Sequence, residues 1–267
     1  MIDTIIFRLN AGDKYGLGHL SRNLALSLPF LESNFKCVFL IHTDDKRKIE
    51  DFIQKKKRKI NAIFFEKHLN HEEDINSISQ IYESNNSFLI LDHYEHDFSY
   101  QLGLKNKNIK WAQFDYKIAD KIIADIVINA NIGVKKSDYK AIVNRDTTIC
   151  VGENLAIIDR EFLKLKQNKN HKRILISMGG GQYPKNILNL ILFLVSDKKY
   201  YFDIISTQDL FNDKLNEFQN IQIHNNPQNI AKIYARNHIG IVAGGVTTYE
   251  LAYLNIPMIV IPYTENQ

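Results

Sequence analysis

Short apolar, β-branched runs alternate along this chain with segments whose apolar residues recur at three- and four-residue spacing. That alternation predicts βα units around parallel sheets buried on both faces. Strands are predicted near residues 3–8, 36–42, 61–65, 87–92, 109–115 and 125–129, with helices near 19–31, 45–57, 72–84 and 97–106. A weaker stretch over 156–172 ends in the polar run 166–172 and reads as a connection. A second series then begins, with strands over 173–178, 200–206, 221–224, 238–243 and 257–261 and helices near 185–196, 209–218, 227–236 and 247–254. The fold class is α/β: two doubly wound, Rossmann-like domains, 1–155 and 173–267, with a ligand cleft expected between the carboxyl ends of their strands.

At 267 residues, 45% hydrophobic and 24% charged, the chain can bury two cores. Residues 1–7 read as a strand rather than a leader, and no apolar stretch reaches membrane-spanning length, so a cytoplasmic protein without a membrane span is expected. Cys37 and Cys150 lie in strand-like apolar runs without metal or redox spacing and read as reduced packing residues. The net charge of +4 raises the question of nucleic acid, with the basic run 55–59 as the candidate patch. That run follows Ile49, Phe52 and Ile53 at helical spacing and has no interleaved aromatics, so it reads as a solvated helix end and no nucleic-acid partner is expected.

The segment from Phe7 to Arg22 passes from an apolar strand through a glycine loop into a helix. Gly16 and Gly18 allow close backbone approach, and Leu20, Leu24, Leu26 and Leu28 with Ala25 read as a buried helix face. His19 then stands in the first turn, where the positive end of the helix dipole disfavours imidazolium and leaves a ring able to accept a proton. The plainer alternative is a tight turn with His19 as a cap. Residues 88–97 carry another strand into Asp92, His93 and Tyr94, polar groups suited to a sugar; His93 and His96 lack the further ligands a zinc site needs.

In the second half, the strand before Gly179, Gly180 and Gly181 runs into a helix after Pro184, an arrangement whose backbone N–H groups hold phosphate without a metal. A flexible turn is the other reading. Residues 241–251 repeat the arrangement with Gly244, Gly245, Thr247, Thr248 and Glu250. Two glycine loops at neighbouring strand ends suit a diphosphate. Glu250 is placed either for a ribose diol or, with Thr247, for a capping box. No Gly-Lys-Ser/Thr completes a Walker loop and no Asp-x-Asp occurs, so neither a metal nor another cofactor is expected.

The order Phe7-Arg8, Gly16-x-Gly18-His19, Arg22, Leu91-Asp92-His93-Tyr94, 125–131, Asp159-Arg160-Glu161-Phe162, Ser177-Met178-Gly179-Gly180, Ala243-Gly244-Gly245, Glu250-Leu251 and Asn266-Gln267 resembles the UDP-sugar hydrolases of pseudaminic acid biosynthesis and the similar spore-coat polysaccharide proteins. The resemblance spans essentially the whole chain. It implies the GT-B fold, UDP-2,4-diacetamido-2,4,6-trideoxy-β-L-altrose as substrate, and UDP and the free sugar as products. It also implies His19 as base, with Arg8, Asn10, Gly16, Gly18, Arg22, Asp92, His93 and Tyr94 on the sugar side. Gly179, Gly180, Gly181, Gly244, Gly245, Thr247, Thr248, Glu250, Asn266 and Gln267 fall at the nucleotide end. Two departures stand out. Asn10 occupies a position where the family has aspartate, and the chain stops at Gln267 where members continue through a further βα segment and a helix, so an incomplete C-terminal domain is expected.

Three functional readings result. In a metal-independent hydrolase, His19 takes a proton from the water that attacks the anomeric carbon. In a GT-B glycosyltransferase it deprotonates an acceptor hydroxyl instead. In a shortened nucleotide-sugar-binding subunit there is no activity. Hydrolysis is favoured because no basic-apolar surface suited to a lipid acceptor is visible. A monomer is compatible with the sequence.

Overall fold

The computed structural model describes residues 2–116, 118, 120–165, 170–179, 185–206, 215, 217–225 and 227–262, residues 170, 171 and 185 by backbone only. The chain divides into two compact units, the first comprising 1–12, 19–53 and 57–157 and the second 13–18, 54–56 and 158–267.

In the first unit, β1 (Thr4–Asn10), β2 (Lys36–His42), β3 (Asn61–Phe65), β4 (Ser87–Asp92), β5 (Trp111–Phe114), β6 (Ile126–Asn129) and β7 (Thr148–Val151) make one sheet. Their order is β3-β2-β1-β4-β5-β6-β7 and every neighbouring pair is parallel. Strand β7, through the run that holds Cys150, adds an edge beyond the six strands predicted. The first four connections between these parallel strands are helical, whereas β5 to β6 and β6 to β7 are joined without an α-helix among the described residues, and every residue of β1 and β2 after the first is buried. The returns are α1 (Gly18–Glu32), α2 (Lys46–Lys55), α3 (His71–Ser79) and α4 (Phe98–Asn106). A capping box opens α3: Glu73 N–H donates to Asn70 Oδ1 at 2.9 Å and Asn70 N–H to Glu73 at 3.0 Å. Asp97 caps α4, accepting from Tyr100 N–H at 2.9 Å.

One face of this sheet packs Phe7 against Phe30 of α1, ring centroids 6.4 Å apart. The other packs Ile6, Leu40, Leu89 and Leu91 with Ile75 and Ile78 of α3 and Leu104 of α4. Cys37 is buried and Cys150 half-buried, both free, and burial pushes the Cys37 thiol up to about 11. The strand order proceeds outward in both directions from β1 and β4, so the sheet's topological switch point, where α/β sheets take ligands, lies at their carboxyl ends.

The second unit repeats the plan with β8 (Asn170–Ser177), β9 (Tyr201–Ser206), β10 (Ile221–Asn225), β11 (Asn237–Val242) and β12 (Met258–Val260), all parallel, in the order β10-β9-β8-β11-β12. Here the switch point lies between β8 and β11. Its helices are α5 (Arg160–Leu163), α6 (Lys185–Val195), α7 (Ile230–Ala235) and α8 (Val246–Tyr253). The predicted helix near 209–218 falls largely outside the described residues. The stretch read as a connection holds α5, capped by Asp159, whose Phe162 is fully buried against Tyr234.

Asp203 on β9 is a buried electrostatic centre of this unit. It accepts from Arg173 at 3.1 Å, His224 at 2.8 Å, Asn237 at 3.0 Å and Arg236 Nε at 2.9 Å. Burial pushes its carboxyl up, but these donors together hold it well below the usual carboxylate range. Asp203→Ala leaves two guanidinium groups without a counter-charge. It should cost about 2–3 kcal/mol, less than a fully buried pair because Arg173 and Arg236 reach solvent. Urea unfolding followed by circular dichroism measures this, and an unchanged midpoint would show that the network adds no stability.

Candidate active site

Helical spacing sets up the first cluster. His19, Arg22 and Asn23 stand at i, i+3 and i+4 on α1 and share one face. That face meets Asp92, the last residue of β4, which pairs in register with Leu9 of β1. His19 Nδ1 lies 2.7 Å from Asp92 Oδ1. Arg22 grips both carboxylate oxygens, Nη2 at 2.7 and 2.9 Å and Nε at 3.1 Å. Asn23 Nδ2 donates to Asp92 Oδ2 and to the His19 carbonyl, the latter at 2.8 Å. Tyr116, just past β5, donates to Asp92 Oδ1 and accepts from Arg22 Nη2 at 2.7 Å.

Asp92 is wholly buried. Burial pushes its carboxyl up, but Arg22 and then His19 outweigh burial and hold it far below the usual carboxylate range. An ionised carboxylate only accepts, so the His19 proton is assigned to Nδ1, leaving Nε2 as the basic nitrogen. Tyr94, 47% exposed, stands edge-on to the His19 ring at 4.9 Å and lies 4.7 Å from the Tyr116 ring.

Arg8, Asn10 and His93 do not join this cluster. Strand alternation turns Arg8 and Asn10 to the other face, where Arg8 Nε donates to Asp74 Oδ1 at 2.7 Å and Nη1 to Asn10 Oδ1 at 2.8 Å. Tyr100 donates to the second Asp74 oxygen at 2.7 Å. His93 Nδ1 accepts from Glu95 N–H at 3.1 Å, so its proton is on Nε2, 3.9 Å from Asp74. Burial, and next the Arg8 charge, push the His93 imidazole well below its ordinary range, so it is neutral. One guanidinium therefore balances one carboxylate. Asn10 adds an acceptor without adding charge, whereas an aspartate there would place a second carboxylate on Arg8. Among the described residues, Asn10 Nδ2 and His93 Nε2 are buried without a partner. No group of three His, Cys, Asp or Glu that could hold a metal occurs among the described residues either.

In the second unit, Gly179 follows β8 with φ of +89° and Gly245 precedes α8 with φ of +151°, backbone that disfavours side chains. Ser177 and Val242 pair in register, so these loops leave adjacent strands. Tyr234 spans them, its hydroxyl 3.2 Å from Ser177 Oγ and 3.5 Å from Thr247 Oγ1. Thr248 Oγ1 donates to the Gly245 carbonyl at 2.6 Å. Gly180, Gly181, Asn266 and Gln267 lie outside the described residues.

No side chain caps α8, and Thr247 stands inside the helix rather than ahead of it, so the capping-box alternative for Glu250 is not formed. Glu250 is buried. Burial pushes its carboxyl up to about 8, Lys56 opposing and Glu161 and Asp159 adding to the rise. Lys56 itself is committed to Glu161 at 2.6 Å and Asp159 at 3.3 Å.

Sequence reading missed Tyr116, Asn23 and Tyr234. The spacing of Asn23 from His19 was visible, as was the position of Tyr116 at a strand's carboxyl end. That Tyr234 spans two loops was not, since the contact joins α7 to residues distant in sequence.

Two consecutive doubly wound sheets, with polar clusters at the switch point of each, define a GT-B-like protein. The fold is shared with solved glycosyltransferases and UDP-N-acetylglucosamine 2-epimerases; the glycotransferase of kitacinnamycin superposes with a TM-score of 0.67 at 11% identity, covering 100% of this chain and 82% of that one. In sequence, the chain is 27% identical over 98% of its length, and 93% of the relative's, to the UDP-2,4-diacetamido-2,4,6-trideoxy-beta-L-altropyranose hydrolase of Campylobacter jejuni. It is 26% identical over 94% of its length to the uncharacterized protein MJ1062 of Methanocaldococcus jannaschii, of which it spans about half, 54%. No protein-family model matches. The resemblance drawn from the motifs thus extends to whole-chain similarity with the hydrolase.

Proposed function

We propose that this chain is a metal-independent nucleotide-sugar hydrolase of pseudaminic-acid-type glycan biosynthesis, cleaving a UDP-linked 2,4-diacetamido-2,4,6-trideoxyhexose to UDP and free sugar. The observation that carries the reading is the His19–Asp92 pair, which directs Nε2 of His19 away from the carboxylate as a proton acceptor. In the reaction, Nε2 takes a proton from water and the water oxygen bonds to the anomeric carbon. The bond from that carbon to the UDP oxygen breaks, and UDP leaves with the electron pair. Backbone donors at the glycine loops of the second unit would meet the charge developing on the diphosphate.

Incubating the purified chain with the UDP-linked diacetamido-trideoxy-altrose, with EDTA and without acceptor, should release UDP and free sugar together. Release only when an acceptor hydroxyl is added would replace hydrolysis with glycosyl transfer on the same fold. UDP binding without release under either condition would favour a nucleotide-sugar-binding subunit.

Glu250 gives the nucleotide end a pH signature. A carboxyl near 8 is mostly protonated at pH 7, and ribose hydroxyls donate best to its ionised form. UDP binding should therefore release a proton at pH 7, and affinity should rise with pH until about 8. Glu250→Gln should remove that dependence. Calorimetry in buffers of different ionisation enthalpy reads the proton directly, and equal release by wild type and variant would remove Glu250 from the nucleotide site. Stability carries the opposite sign. The raised folded value stabilises fully below the unfolded carboxylate range and is lost as pH rises towards 8.

A further inference from the structure

We infer that Tyr116 is a positioning residue that shares Asp92 Oδ1 with His19 and thereby weakens the histidine–aspartate hydrogen bond. Three donors converge on that one oxygen: His19 Nδ1–H and Arg22 Nη2–H, each at 2.7 Å, and the Tyr116 hydroxyl. A carboxylate oxygen offers about two good acceptor directions, so a third donor draws charge from the other two. The phenol remains a donor throughout, because burial pushes it well above its ordinary range. Arg22 donates to the phenol oxygen at 2.7 Å and so polarises its O–H towards Asp92. The same hydroxyl lies 3.2 Å from His19 Nδ1, on the edge of the bond it competes with.

The Tyr116 ring is held separately from its hydroxyl. It packs 5.6 Å from His19 and 4.7 Å from Tyr94, and Arg22 lies 5.4 Å over its face. Tyr116→Phe therefore keeps the aromatic packing and deletes only the competing donor. With that donor gone, more of the Asp92 charge falls on the His19 N–H. The imidazolium formed when the ring takes a proton is then better stabilised. The kinetic consequence rests on the hydrolase reading: the acid limb of the kcat/KM profile of Tyr116→Phe should move to higher pH. The hydrogen bond itself does not depend on that reading.

The test is proton NMR of the full chain labelled with 15N-histidine, observing the low-field Nδ1–H resonance of His19. Asp92→Asn identifies the resonance by losing it. Tyr116→Phe should move it downfield. Tyr116→3,5-difluorotyrosine, a stronger donor of the same shape, should move it upfield and covers the case in which the phenylalanine variant does not fold. A resonance that stays in place, or moves opposite to these directions, overturns the inference. Because the resonance is read without turnover, absence of hydrolase activity would leave the role of Tyr116 untouched.

Discussion

His19→Ala should lower kcat/KM for the UDP-linked sugar by about 10²–10⁴-fold while leaving UDP affinity nearly unchanged. Under the proposed mechanism water is the nucleophile, and it is too weak unless a base takes its proton as the bond to carbon forms. In the first cluster His19 is the one side chain with a nitrogen left basic. Arg22 has no acceptor atom, Asp92 is surrounded by four donors, and the Tyr116 phenol keeps its proton. The glycine loops belong to the second unit, so the diphosphate should still bind when the imidazole is removed. Steady-state kinetics beside UDP calorimetry separates the two effects. Wild-type turnover in the alanine variant would end the assignment of His19 as base. Loss of UDP affinity together with turnover would instead place the ring on the nucleotide.

Asp92→Asn should cost a comparable 10²–10⁴-fold, roughly, and should also destabilise the first unit, because one carboxylate holds both the tautomer and the local charge balance. An asparagine amide turned towards His19 offers N–H to Nδ1. That favours the tautomer with its proton on Nε2, which cannot accept one from water. Arg22 meanwhile loses its counter-ion at a site only 19% exposed, at a cost of about 3 kcal/mol. Thermal unfolding and 15N shifts of the ring read the two consequences independently. The Asp92 stabilisation, from a carboxyl held low, is complete above the unfolded carboxylate range and is lost only as pH falls through its much lower folded value. The difference in stability between wild type and variant should therefore be flat near neutrality and shrink in strong acid. If Asp92→Asn retained full activity, the pair would have no part in the reaction.

Much of the fold was legible because burial on both faces leaves a local mark. Strand β2 was read at Lys36–His42 and β4 at Ser87–Asp92, the spans the structure shows, since a parallel strand under helices on both sides is a near-continuous apolar run. Strand β7 escaped as a separate element because Thr148–Val151 is only four residues long, although the apolar run around Cys150 was visible. The short α5 was hidden because a single turn of four residues is too short to show a helical period.

At the site, the sequence determined the kinds of group available and their local order: a histidine in the first turn of α1, Arg22 and Asn23 on its face, Asp92 at a strand's carboxyl end, glycines ahead of α8. These follow from periods of two and 3.6 residues and from the need for positive φ, which act over a few positions. Tertiary structure alone decided which of them meet. Register between β1 and β4 brought Asp92 under His19, while strand alternation sent Arg8, Asn10 and His93 into a separate neutral cluster around Asp74. It likewise brought in Tyr116, and it raised Glu250 by burying it beside Glu161 and Asp159 against the opposing charge of Lys56. Such contacts join residues far apart in the chain, and the charge state of each group depends on burial and neighbours that no local pattern encodes.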